Sequence, residues 1–472
     1  MSIAPETFEE FETDNDLFSL RVDGALIWER IRFDVFREIK KQNGVGQAHT
    51  QNNSGIAAYL QGTALWAKNF IHRNPFFADE HEFLFVGHPR RKLEEDGYWW
   101  DLYCDPIHEG TELDAVHMEE PHLVSHRTPA KTEGLRYLEL IEYSGTLQRG
   151  LGIRSPTLSD EVISQLREAE TEIQQRFDAT VDLVAEAKES AHTRKATLPM
   201  YERLLDRIDP SVVVLVVSYY KETLVEACKR KGIPVVELQH GVIYDYHYGY
   251  SFPEGVTKEA FPDYLFTFGE FWNENVRFPL PDDRIIPVGH PYLEQRIEAY
   301  DDVNPRNQII FISQGTIGHQ LSQFALTVHD DPRIDYDVVY KLHPGEYDRW
   351  KDEYPWLVDS GMTVIDESEP PLYRLFAESD VQIGVGSTAV YEGLSFDLET
   401  YVYDCDGSDV LEPLVEDGVA SFVENVDDLV ERLGSEKRND FDVERFFKTD
   451  AIQRVQSKLT AISNSGESVY PP

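Results

Sequence analysis

Short apolar runs rich in β-branched residues recur along the chain, and most are followed by a segment of helical period. The run VVVLVV at 212–217 has no polar face, which is the pattern of a strand buried on both sides of a parallel sheet. LVEACKRKG (224–232) reads as a helix ended by Gly232, and PVVELQHG (234–241), DYLFTFG (263–269) and RIIPVG (284–289) read as further strands. After the polar break DDVNPRN (301–307) the alternation restarts with IIFISQG, a helix near 319–328, DVVYKLHPG and a helix near 347–353. It continues with MTVID, a helix near 371–378, DVQIGVGS, a helix from about 388, and TYVYD, and a last helix is expected over about 440–462. Upstream, helical period predicts helices over about 25–40, 56–72, 158–190 and 196–207, and FLFVGHP supplies a strand at 83–87. Residues 88–155 look irregular, and 43–53 is a polar, turn-rich loop.

Strand–helix alternation on both sides of one polar break predicts an α/β chain of two doubly wound, Rossmann-like domains facing a cleft. The expected divisions are an acidic arm at 1–17, an N-terminal domain at 18–300, a C-terminal domain at 301–440, a closing helix at 441–464 and a tail at 465–472. Such domains bind ligands at the carboxyl ends of their strands, so the site is sought there.

Charge and cysteine content narrow the function classes. The 472 residues hold 86 acidic and 44 basic side chains, a formal net charge of −42. A field this negative repels phosphodiester backbones, so nucleic acid is excluded as a general partner. The acids are spread through nearly every segment, and in this the chain resembles cytoplasmic proteins of extreme halophiles, whose carboxylates keep a folded surface hydrated in concentrated salt. Cys104, Cys228 and Cys405 are far apart and form no metal clip, which fits a reduced cytoplasm. The acidic start MSIAPETFEE has no apolar stretch of a secretory leader, and no run approaches the length of a membrane span.

Dinucleotide, P-loop and zincin fingerprints are absent, which leaves short motifs at strand ends. In KLHPGE (341–346), His343 follows a strand that Pro344 stops, and its ring can donate to a phosphate oxygen or a ribose hydroxyl. Chance would give about 0.8 His-Pro pairs from 15 His and 25 Pro, yet three occur, the others being His88-Pro89 and His290-Pro291. In GVGSTAVYEG (384–393), Gly386, Ser387 and Thr388 offer backbone N–H groups and two hydroxyls to an anion, while Ser387 equally reads as a helix N-cap. Glu392 on that helix is either a ribose-binding carboxylate or a solvated surface acid. LQHG (238–241) places His240 on an uncrowded turn, suited to a general base or to a structural hydrogen bond.

As a set, KGIPVVELQHG, PVGHP, ISQG, KLHPGE and GSTAVYEG resemble the GT-B glycosyltransferase-like proteins of surface and capsular polysaccharide synthesis. Related groups are the sialyl- and Kdo-transferases and the CDP-glycerol glycerophosphotransferases. The resemblance covers roughly residues 205–435 and implies a GT-B-like fold. It implies His240 as catalytic base, with His343, Ser387, Thr388, Gly386, Glu392, Gln314 and Gly315 holding a nucleotide-sugar donor. It further implies an inverting transfer, independent of a metal or other cofactor, onto a glycan or lipid-linked acceptor in polysaccharide or protein-glycan synthesis. Some members carry the base in an acid-acid-Gly string, which Glu95-Asp96-Gly97 fits. A UDP-sugar 2-epimerase, a CDP-linked glycerophosphotransferase and a non-catalytic nucleotide-sugar-binding scaffold remain alternatives.

Two features concern the acceptor side. From Asn43 to Ala78 there is no Asp or Glu, where the chain average of 86 in 472 would place six or seven. The amphipathic segment 56–72 in this window is either a peripheral contact with the inner face of a membrane or a helix packed into the core. Arg90, Arg91 and Lys92 form the densest basic cluster, which either neutralises an acceptor phosphate or pairs with Glu94, Glu95 and Asp96.

Overall fold

The structure, a computed structural model, describes residues 5–44, 56–256, 258–274, 276–405, 407–433 and 441–465. The expected loop at 43–53 and the tail at 465–472 lie almost entirely outside these residues. The chain forms two compact units, one reaching Pro291 and resuming at Asp450, the other running from Tyr292 to Thr449. The boundary thus falls at Tyr292 instead of near 301, and the last helix returns to the first unit.

The first unit is built on seven parallel strands: β1 (Phe83–Val86), β2 (Ala115–Glu119), β3 (Arg136–Tyr137), β4 (Val212–Val216), β5 (Val235–Leu238), β6 (Tyr264–Thr267) and β7 (Ile285–Pro287). Their order is β7-β6-β5-β4-β1-β2-β3, with Phe85 level with Val214 on one side and His117 on the other. Alternate residues of these strands enter different cores, as strands covered on both faces must. Phe83, Phe85, Val212, Val214 and Val236 pack with Val455, Leu459 and Ile462 of the C-terminal helix Ala451–Ser465. Leu84, Val86, Val213, Leu215 and Val235 pack with Leu198, Leu204 and Leu205.

The second unit repeats the scheme with β8 (Gln308–Ile312), β9 (Asp337–Lys341), β10 (Thr363–Ile365), β11 (Val381–Gly384), β12 (Glu399–Tyr403) and β13 (Ala420–Val423), in the order β10-β9-β8-β11-β12-β13. Both units therefore have the doubly wound, Rossmann-like strand order that the alternation predicts. In each, the chain leaves the first strand toward one side and later continues on the other. This creates a switch point between β1 and β4, and another between β8 and β11.

Several expectations are corrected. The acidic arm at 1–17 contains a helix, α1 (Pro5–Asp14), whose Phe8 and Phe11 are fully buried against Trp28, Phe36 and Phe177. Its acids conceal an amphipathic face that only these partners complete. The next helices are α2 (Trp28–Gln42) and α3 (Ile56–Asn69). The region read as irregular holds β2, β3, α4 (Asp105–Gly110) and α5 (Glu139–Gly150). β2 escapes an apolar-run search because His117 and Glu119 are polar, but both are buried with partners, His117 stacking on Phe85 and Glu119 binding Arg91. The helix expected over 158–190 breaks at Asp178, which has left-handed backbone, and splits into α6 (Asp160–Phe177) and α7 (Leu183–Ile208). Asp182 caps α7 by accepting the Ala185 N–H at 2.9 Å, and the helix runs on through Pro199. The closing helix begins at Ala451 instead of 441, after a short 3-10 turn at Val443–Arg445.

Arg32 and Glu12 join α1 to α2 in an interior without solvent. The guanidinium also donates to Tyr248 O at 3.2 Å and Ser251 O at 2.5 Å, and Trp28 Nε1 donates to Glu12 at 2.7 Å. Burial raises the Glu12 pKa, although Arg32 opposes the shift. Removing one partner strands the other charge, so Glu12→Ala is expected to cost about 3–5 kcal/mol in urea unfolding. A loss below about 1 kcal/mol would mean that residues 1–17 are a dispensable arm after all.

Candidate active site

The carboxyl ends of β1, β4 and β5 bring together residues far apart in sequence. After β1 the chain turns at Gly87, where a Cβ would overlap the Asp101 carboxylate. Asp101 Oδ2 accepts the His88 N–H at 2.8 Å, while Oδ1 accepts the Tyr103 N–H at 3.0 Å. After β4, Val217 takes a left-handed conformation (φ 63°) and delivers Ser218 and Tyr219. After β5, the buried Gln239 side chain binds Gly241 O and the Phe268 N–H, both at 2.8 Å, and so ties the turn that carries His240 to the end of β6. His88 and Tyr219 thus flank the switch point, and the His240 ring lies 6.2 Å from that of His88 and 6.1 Å from that of Tyr219.

His240 is held by a chain of hydrogen bonds. Its carbonyl accepts from Tyr103 OH at 2.6 Å. Tyr250 OH lies 2.6 Å from Glu237 Oε1 and 3.1 Å from His240 Nδ1. Glu237 Oε1 also accepts the Ser218 N–H at 3.0 Å. With its single proton given to Glu237, the Tyr250 oxygen accepts from Nδ1–H, and this assigns the tautomer of His240. Nε2 is left with a lone pair, 3.4 Å from Tyr219 OH. Desolvation, followed by the neighbouring His88, His247 and Arg90, drives the His240 pKa well below the ordinary value. The ring is therefore neutral through the physiological range, and the same burial makes it a weaker base than an exposed imidazole. Burial raises the pKa of Glu237, which sits inside the sheet among apolar residues. Glu237, Tyr250 and Tyr219 were not singled out from sequence. The only cue to Glu237 is an acid in the middle of a strand otherwise buried on both faces.

The basic cluster follows the pairing expectation only at Lys92. Arg91 is buried between Glu119 and Asp105, 2.9 Å from the latter, so it is unavailable to an acceptor phosphate and does not pair with Glu94, Glu95 or Asp96. Lys92 binds Glu94 at 3.0 Å. Arg90 is exposed and has no ion pair among the described residues. Glu95-Asp96-Gly97 is the turn between the short paired segments Lys92–Leu93 and Trp99–Trp100, where Asp96 accepts from Trp100 Nε1 at 3.1 Å and Lys131 Nζ at 3.1 Å.

In the second unit, three loops converge beside the switch point of β8 and β11. Gln314 Nε2 donates to Gly386 O at 3.2 Å, joining the loops that follow these two strands. Glu346, fully buried, accepts the His343 N–H at 2.8 Å, Tyr354 OH at 2.6 Å and Ser313 Oγ–H at 3.1 Å, which brings in the loop after β9. Gly318 is required there, because a Cβ would strike the Glu346 carboxylate and the Tyr354 hydroxyl. His343 is exposed and its Nδ1 accepts the Gly345 N–H at 3.1 Å, so the neutral ring carries its proton on Nε2, as a donor. Ser387 is a helix N-cap, accepting the Ala389 N–H at 3.3 Å, and Thr388 opens the short helix Thr388–Gly393. Glu392 accepts from Tyr373 OH at 3.1 Å. Arg349, unnoticed in the sequence, donates to Gly345 O at 3.0 Å and lies against Gly315, adding a cation to these loops. Among the described residues, no group of three or more His, Cys, Asp or Glu side chains is placed to hold a metal ion.

No protein-family model and no curated protein matches this chain. Among solved structures it is similar to the UDP-GlcNAc 2-epimerase of Methanocaldococcus jannaschii in complex with UDP-GlcNAc and UDP, with 13% identity, a TM-score of 0.46, and coverage of 80% of this chain and 99% of that one. The UDP-GlcNAc 2-epimerase of Neisseria meningitidis bound to UDP-GlcNAc gives 12% identity, a TM-score of 0.46, and coverage of 80% and 99%. Spinosyn rhamnosyltransferase gives 15% identity, a TM-score of 0.38, and coverage of 82% and 95%.

Histidine titration tests this electrostatic picture. Burial depresses His88 and His290 to about 3 and His247 to about 4. Burial also opposes charge on His126, but its hydrogen bonds to Glu119 (2.9 Å) and Glu139 (2.7 Å) outweigh this and raise its pKa. In NMR titrations His88, His247 and His290 should stay neutral down to pH 5, while His126 titrates above 6.5. His126 then stabilises the fold fully below its unfolded pKa near 6.5 and loses that share as pH rises through its folded value, so His126→Asn should destabilise more at pH 6 than at pH 9.

Proposed function

We propose that this protein is an inverting GT-B-type glycosyltransferase that moves a sugar from a nucleotide-activated donor to a glycan or lipid-linked acceptor. The observation that carries the reading is the Glu237–Tyr250–His240 hydrogen-bond chain, which presents an unprotonated Nε2 beside a sheet switch point. The proposed chemistry has a proton-accepting part and a donor-binding part. In the first, an acceptor hydroxyl gives its proton to His240 Nε2 as its oxygen attacks the anomeric carbon. The bond from that carbon to the donor's diphosphate breaks, and the electron pair leaves with the diphosphate. The imidazolium so formed keeps its Nδ1–H bond to Tyr250, whose own proton is held by Glu237. In the second unit, His343 Nε2–H, Arg349 and the Ser387 and Thr388 hydroxyls are the groups that meet the diphosphate, with Gln314, Gly315 and Gly386 shaping the loops and Glu392 at the ribose.

Calorimetry with UDP, GDP, CDP, CMP and dTDP in molar KCl, followed by transfer assays with the nucleotide that binds, tests this. Wild type is expected to bind one of them, and His343→Ala to weaken that binding by about tenfold or more. His240→Asn should leave binding unchanged and lower transfer about 10²–10⁴-fold, and Tyr250→Phe should lower transfer less. Failure of all five nucleotides to bind would sink the proposal. So would release of an epimerised sugar without acceptor, the behaviour of a 2-epimerase, or binding without turnover, the behaviour of a scaffold.

A further inference from the structure

Tertiary structure gathers three segments that lack acids in an otherwise acid-rich chain. Residues 56–78, 121–132 and 143–159 contain six Lys or Arg and no Asp or Glu, where the chain average of 86 in 472 would place about nine acids. They meet because α3 lies along α5, with Trp66 Nε1 donating to Ser144 Oγ at 3.3 Å and Asn69 Oδ1 accepting the Leu140 N–H at 3.0 Å. The loop between β2 and β3 closes over them at Val124. The result is a groove of about 160 Å³, lined by Tyr59, Gly62, Val124, Tyr143 and Leu147 among others.

The segments that line this groove also expose apolar side chains to solvent. Leu60 is 62% exposed and Leu151 73% exposed, and Tyr59, Leu123 and Ile153 are exposed as well. Leu123 and Val124 both adopt left-handed backbone, with φ of 47° and 62°, in a tight turn closed by two hydrogen bonds between His122 and Ser125. Aliphatic residues disfavour that conformation, Val most strongly, yet the turn places Leu123 in solvent and Val124 in the groove. Lys68 and Arg154, in the same segments, are exposed and without an ion pair among the described residues. The neighbouring acids of α5 turn inward, Glu139 to His126 at 2.7 Å and Glu142 to Tyr201.

We propose that this face docks on an anionic phospholipid bilayer, with Leu60, Leu123, Leu151 and Ile153 entering the interface, an acyl chain in the groove, and Lys68 and Arg154 at headgroup phosphates. Charge complementarity singles out this occupant: a protein of net charge −42 is in general repelled by such a surface, and segments that bring six Lys or Arg and no acid of their own let apolar side chains reach it, even though Arg149 meets Glu189 and Lys131 meets Asp96 and Glu109. The proposal stands independently of the enzymatic reading. No helix among the described residues is long and apolar enough to cross a membrane, so the contact is peripheral.

Flotation with phosphatidylglycerol-containing and pure phosphatidylcholine vesicles, at low salt and in molar KCl, tests it on the full chain. Wild type should float with the anionic vesicles, and Leu60→Glu/Leu151→Glu should bind roughly tenfold more weakly or worse. Lys68→Glu/Arg154→Glu should lose binding chiefly at low salt, because in molar salt the screening length shrinks to about 3 Å. All four positions are exposed, so circular dichroism and nucleotide binding should match wild type. The proposal is overturned if wild type ignores anionic vesicles in both salts, or if the Leu60→Glu/Leu151→Glu variant floats as wild type does. It is equally overturned if ultracentrifugation finds a wild-type dimer that this variant dissociates while vesicles remain unbound, since a second copy would then be the occupant.

Discussion

A parallel sheet covered on both faces leaves its strands no polar side, so side chains with chemistry to perform are confined mainly to the strand ends. Both units obey this constraint. Val212–Val216 and Gln308–Ile312 are buried throughout, and polar groups accumulate where the chain leaves them, at Ser218 and Tyr219 in one unit and Ser313 and Gln314 in the other. The doubly wound order then separates outgoing loops at one place in each sheet, opening room for a ligand without interrupting the core. Position of the sites is thus a consequence of how strands are buried.

Three buried carboxylates beside the strand ends accept hydrogen bonds from the loops around them. Glu346 is the clearest case, accepting from His343 N–H, Ser313 Oγ and Tyr354 OH, and so fixing the relative placement of two loops. Glu237 does the same for the Ser218 turn and Tyr250. Asp101 does so for the turns at His88 and Tyr103, beneath a glycine that admits its carboxylate. In each case a carboxylate serves as an organising acceptor for backbone at a site, which is a use of acid quite separate from solvation of the surface.

The strand-end histidines His240 and His343 and the loop at 384–393 were legible because punctuation after an apolar run is local information. Gly, Pro and Ser at fixed offsets report a turn whatever lies around it. Helix α1 and strand β2 were illegible for the opposite reason. The acids of α1 describe its exposed side, while the aromatic partners of Phe8 and Phe11 come from α2 and α6. The polar His117 and Glu119 of β2 become acceptable interior residues only beside Phe85 and Arg91. Arg91 itself looks like a member of a basic cluster until the fold places Glu119 and Asp105 against it.

The sequence by itself determined the two-fold alternation of strand and helix, the strand-end motifs, and the uneven distribution of acids along the chain, since all three are properties of neighbours in the polymer. Tertiary structure alone decided which end groups meet, which nitrogen of His240 and of His343 carries the proton, and that three acid-free segments form one face. Those outcomes depend on hydrogen bonds and packing between residues separated by many positions, such as Tyr103 with His240 and Gly62 with Tyr143, which no local pattern encodes.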